Sequence, residues 1–95
     1  MSYELSIESC AQRDLAELPA DVRARVEEAI DALTTDPRPF GYVALRGGRL
    51  KGSFRVHVGR DYVIGYDVDD SQRLVEVWQI GNRRSFYAKA KRRRR

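Results

Sequence analysis

Phe54-Arg55-Val56-His57-Val58, then Gly59-Arg60-Asp61, then Tyr62-Val63-Ile64-Gly65-Tyr66 is the stretch on which the fold turns. Phe54, Val56 and Val58 alternate with Arg55 and His57, and Tyr62, Ile64 and Tyr66 alternate with Val63 and Gly65. A period of two marks half-buried strands, and Gly-Arg-Asp between them is a tight connection. The alternation also assigns faces. If the Phe-Val-Val set points into a core, Arg55 and His57 point the other way, and Val63, Gly65 and Asp67 share their side.

Downstream, Asp69-Asp70-Ser71-Gln72 is turn chemistry, and Leu74 to Ile80 carries the β-formers Val75, Val77 and Trp78. Gly81 and Asn82 close that last strand. Upstream, Tyr3, Leu5 and Ile7 alternate with Glu4, Ser6 and Glu8 as a first strand. Ser9 offers an N-cap oxygen, and Ala11, Leu15 and Leu18 follow at helical spacing until Pro19. From Asp21 a second helix places Val22, Val26, Ala29, Ile30 and Leu33 on one stripe, ending before Pro37 and Pro39. These elements predict an α+β domain in which an N-terminal strand and a helical hairpin pack on one face of a twisted antiparallel sheet. The other face is left open.

At 95 residues the chain holds one core, which excludes a Rossmann unit with a second domain, a TIM barrel or a kinase. Its net charge of +4 hides a split. Residues 1–37 hold nine acids and three Arg, a net of −6, whereas residues 38–95 hold fifteen bases and five acids, a net of +10. Such a split predicts a polyanion against the basic half. Cys10 is the sole cysteine, so neither an internal disulfide nor a thiolate metal cluster is available. There is no N-terminal apolar signal and no apolar run of membrane-spanning length, so a cytoplasmic protein that does not enter the membrane is expected.

Arg55, His57, Arg83, Arg84 and Tyr87 are the chemistry-bearing residues of the open side and of the segment after the last strand. Grouped cations, an imidazole and a phenol suit phosphate contact and proton transfer. Gly47 and Gly52 have P-loop spacing, but Ser53-Phe54 and a strand follow where Lys, Ser/Thr and a helix are needed. Asp67, Asp69 and Asp70 read as a solvated turn rather than a cation site. No cofactor and no metal is expected.

The ordered set Leu45-Arg46-Gly47, Phe54-Arg55-Val56-His57-Val58, Gly59 to Asp70 and Ile80-Gly81-Asn82-Arg83-Arg84-Ser85-Phe86-Tyr87 resembles the RelE/ParE superfamily of type II toxins. Leu18-Pro19 between the helices agrees with that pattern. The resemblance implies a fold similar to small microbial ribonucleases, with residues 1–88 as the toxin domain and 89–95 as a basic tail. It implies an endoribonuclease that cleaves mRNA at the ribosome by 2′-OH attack, with a cognate antitoxin as partner in a hetero-oligomer. On the family pattern Arg55 and His57 match the basic strand residues, Arg83 a phosphate clamp and Tyr87 a base-stacking or proton-transfer residue. Contacts to mRNA and 16S rRNA are expected from Arg46, Arg49, Lys51, Arg60, Arg84, Lys89 and Lys91. One departure stands out: the family's Tyr-Arg-aliphatic-aliphatic-Tyr is here Tyr62-Val63-Ile64-Gly65-Tyr66, so Val63 replaces a cation and Arg60 or Arg84 would have to substitute. The same superfamily includes ParE-like gyrase poisons, and a non-toxic antitoxin-binding module is a third possibility.

Overall fold

A computed structural model describes residues 2–94. The chain runs β1 (Glu4–Ile7), α1 (Ser9–Ala16), α2 (Ala20–Thr35), β2 (Val43–Ala44), a 3₁₀ turn (Gly48–Leu50), β3 (Phe54–Val58), β4 (Tyr62–Asp69), β5 (Leu74–Asn82) and α3 (Phe86–Arg93). The α+β class stands, and the five strands lie in the order β1-β5-β4-β3-β2. The sheet is mixed rather than wholly antiparallel, because β1 pairs in parallel with β5, Leu5 opposite Val75 and Ile7 opposite Val77. After β1 the chain crosses behind the sheet in α1 and α2, so no hairpin dictates its direction. Ser9 is the first helical residue of α1; the cap is Glu8, whose side chain makes no capping bond.

The expected hairpin of strands is present in register, Phe54 opposite Tyr66, Val56 opposite Ile64, and His57 opposite Val63. The back of the sheet carries the main core: Val22, Val26, Ile30 and Leu33 of α2 and Ala11 of α1 pack on Ile64, Tyr66, Val75, Val77 and Ile80. Burial of a side chain of this size is worth about 1.5–3 kcal/mol, so this layer is the main stabilising contact. The buried Tyr66 hydroxyl donates to the Pro37 carbonyl at 2.7 Å, and Arg38 holds Asp70 with two hydrogen bonds, fixing the loop that leads into β2.

The front of the sheet is only partly open. Val63, Trp78, Phe86 and Ala90 form a second buried cluster with Leu45 and Leu50. The basic residues expected as a tail from 89 onward therefore continue in α3, which the apolar pair Phe86 and Ala90, one turn apart, anchors against the sheet. Arg95 lies outside the described residues. Gly65 makes the close approach possible: a Cβ there would sit 2.9 Å from Phe86 Cζ and 3.1 Å from the Trp78 ring. Among the described residues no helix is long and apolar enough to cross a membrane.

Candidate active site

Between Gly65 and Tyr66 the β4–β5 register shifts. Val77 lies opposite Tyr66, and Gln79 opposite Gly65, so Trp78 is one extra residue on β5. Such a bulge resets the alternation of the strand. Before it Val75 and Val77 face the helices; after it Ile80 does, and Gly81, opposite Val63, faces front. Continued without the bulge, the odd-numbered residues would all point backwards. Because of the bulge, Arg83 emerges on the face that carries Arg55 and His57.

Arg55, His57, Arg83 and Tyr87 line one pocket of about 210 Å³, with Val63 and Phe86 as its apolar floor. Arg55 organises it. Its Nε donates to Tyr87 Oη at 2.8 Å, and its Nη1 lies 2.6 Å from His57 Nε2. A guanidinium has no acceptor, so His57 Nε2 accepts and the imidazole is neutral, with its proton on Nδ1. Partial burial against the sheet, then the charges of Arg55 and Arg83, hold the His57 pKa below its ordinary 6.5. Tyr87, 44% exposed and edge-on to Phe86 at 5.5 Å between ring centres, keeps its hydroxyl proton free to donate. Gln79, fully buried, fixes the start of α3 by donating from Nε2 to the Phe86 carbonyl at 2.9 Å.

The other expected RNA contacts separate into groups. Arg46, Arg49 and Lys91 line a second cleft beside the 3₁₀ turn. Lys51 is exposed after that turn, Arg60 in the β3–β4 connection and Arg84 beyond β5, none of them in the pocket. Arg60 and Arg84 thus do not fill the place left by Val63, which is 2% exposed. Lys89 is committed inward, its Nζ 3.1 Å from Asp14 Oδ1. Of the turn acids, Asp67 accepts from Trp78 Nε1 and Arg94, Asp69 from Ser71 and the Gln72 N–H, and Asp70 from Arg38 and Tyr3.

Asp14 was not anticipated. It is 6% exposed and bonds the Ile80 N–H at 3.0 Å, Lys89, and both terminal nitrogens of Arg93. Ile80 lies just beyond the end of β1, so the carboxylate completes the β5 edge where the parallel partner stops. Burial alone would raise the Asp14 carboxyl, but the bonds from Arg93, Ile80 and Lys89 together hold it below its usual value. Its signal was an acid on the apolar stripe of α1, three residues after Ala11 and one before Leu15.

Solved toxins share this architecture. The chain is similar to the toxin in the RelBE2 toxin–antitoxin complex of Mycobacterium tuberculosis, at 28% identity and a TM-score of 0.77 over 87% of this chain and 100% of that one. It is likewise similar to the archaeal RelE–RelB complex of Pyrococcus horikoshii OT3, at 26% identity and a TM-score of 0.73 over 87% and 97%. The isolated E. coli RelE toxin, at 23% identity and a TM-score of 0.72 over 97% and 98%, shares the fold. No curated protein matches in sequence. The family model for the ParE toxin of the type II toxin–antitoxin system parDE matches residues 5–87. The chain belongs to that family, within the RelE/ParE superfamily of type II toxins.

Proposed function

We propose that this toxin is an endoribonuclease that cleaves mRNA at the ribosome in the cytoplasm, and that a cognate antitoxin neutralises it. The observation that carries the reading is the single guanidinium of Arg55 bonded to both His57 and Tyr87, with Arg83 in the same pocket. A phosphodiester entering the pocket is a stronger partner for Arg55 than a neutral imidazole is. Drawing the guanidinium to the phosphate frees His57 Nε2 to take the 2′-OH proton. The 2′-oxygen then bonds to phosphorus as the bond to the 5′-oxygen breaks. Arg55 and Arg83 stabilise the charge on the phosphoryl oxygens, and the Tyr87 hydroxyl donates to the departing 5′-oxygen. No step calls on a metal. The antitoxin is inferred from the similar RelE chains of M. tuberculosis and P. horikoshii, both in complexes with antitoxins.

The test is induction in bacteria with mapping of RNA ends. The reading expects new 5′-hydroxyl ends within translated transcripts, lost in His57→Ala and Arg55→Ala; intact transcripts with normal translation would overturn it. Two observations favour a second reading, a ParE-like gyrase inhibitor: the matching family model is a ParE toxin, and Val63 puts no cation at the pocket floor. Inhibition of gyrase supercoiling by the purified chain would decide for it.

A further inference from the structure

Three depressions on the front of the molecule share walls. The active-site pocket and a groove of about 640 Å³ along β2 meet at Tyr87. That groove in turn meets the cleft of about 420 Å³ beside the 3₁₀ turn at Arg46. Gly47 (φ 83°) and Gly48 (φ 53°), both in the left-handed region, turn the chain so that Arg46 and Arg49 line the same cleft, with Lys91 of α3 on its other side.

The middle of this path and its two ends differ in chemistry. Tyr42, Val43 and Tyr87 leave 37–44% of their surfaces exposed in the middle. The ends are cationic, Arg55 and Arg83 at one and Arg46, Arg49 and Lys91 at the other. Among the described residues none of these last three has an acid within ion-pair distance, whereas Arg94 beside them is already held by Asp67. Flat apolar faces alternating with evenly spaced charges describe a single nucleic-acid strand, whose bases stack on aromatics while cations follow its phosphates. A duplex would hide its base faces, and an acidic peptide would leave the aromatic stretch without a matching partner.

We propose that the β2 groove and the Arg46–Arg49–Lys91 cleft form a subsite for single-stranded RNA flanking the scissile phosphate, with a base on Tyr42 and Tyr87 and a neighbouring phosphate in the cleft. The inference rests on the ribonuclease reading for the identity of the strand in the first pocket.

Fluorescence anisotropy with the purified full chain tests it, using a 2′-O-methyl trinucleotide and a 2′-O-methyl octanucleotide, neither of which can be cleaved. Arg49→Ala/Lys91→Ala is expected to weaken octanucleotide binding and to flatten its slope of log affinity against log salt by about 0.7, the share of the one phosphate the cleft holds. Tyr42→Ala is expected to weaken the octanucleotide at every salt concentration with the slope kept. Trinucleotide affinity stays unchanged in both variants, and the thermal midpoint in the double variant. An unchanged octanucleotide slope in the double variant, or equal losses for the two oligonucleotides, overturns the subsite. So does a loss of antitoxin affinity with RNA binding intact, which would give the groove to the antitoxin. Cleavage of unmodified RNA is read separately: no cleavage with the slope change present overturns the enzyme reading alone, and cleavage with an unchanged slope overturns the subsite alone.

Discussion

Asp14 and Arg93, 79 residues apart, are joined by two hydrogen bonds of 2.6 and 2.8 Å. The pair ties α1 to α3 across the edge of β5, where the same carboxylate also receives the Ile80 N–H. A helix half of whose residues are basic is thereby held against the sheet by one acid from the negative half of the chain.

Asp14→Ala should lower stability by about 2 kcal/mol, below the ~3–5 kcal/mol for breaking a fully buried pair because Lys89 and Arg93 are partly exposed. The sign with pH follows from the lowered carboxyl. Its contribution is complete above the unfolded value of 3.8 and is lost as pH falls through the lower folded value. Urea midpoints measured at decreasing pH should therefore drop for the parent chain and converge with those of the variant.

His57 is expected to work deprotonated. Its depressed pKa places the acidic limb of the cleavage rate below pH 6.5, with rate falling as pH falls through that limb. His57→Ala should remove the limb and lower the rate about 10²–10⁴-fold. Stability moves in the same direction, because the folded ring takes up a proton less readily than the unfolded one. A pH–rate profile on a ribosome-bound message checks the rate, and thermal midpoints over the same pH range check the stability.

Arg83→Ala should reduce cleavage by about 10²–10³-fold, the usual loss for one charge-stabilising donor. Arg83 is exposed and makes no ion pair among the described residues, so its thermal midpoint should not move. A midpoint shift of several degrees would reassign it to a structural role.

Gly65→Ala drives a methyl into Phe86 and Trp78 and should cost about 1–3 kcal/mol of overpacking. Because Phe86 begins the helix that carries Tyr87, cleavage should fall as well. Near-ultraviolet circular dichroism of the single Trp reports the displacement, and calorimetry the destabilisation.

The strands that hold Arg55 and His57 were legible because alternation is local: each residue declares its face against its two neighbours. Arg83 and Tyr87 were grouped with them by their place after the last strand and by the family pattern rather than by alternation, since what brings Arg83 forward is an extra residue on β5 that no local pattern marks. The parallel pairing of β1 with β5 joins segments some seventy residues apart and leaves no trace in either. Helix α3 was hidden by composition. Lys and Arg runs are ordinarily solvated, and here Phe86 and Ala90 supply the apolar anchor while Asp14 takes the charge of Lys89 and Arg93.

The bulge at Trp78 also bears on how such a toxin can be lost. Inserting one codon between Ile80 and Arg83, with no second bulge to absorb it, would shift the alternation by one and turn Arg83 toward the helical hairpin, with Arg55, His57, Arg83 and Tyr87 all still encoded. A lineage escaping the toxin has there a route to inactivation that an inventory of its site residues would not detect.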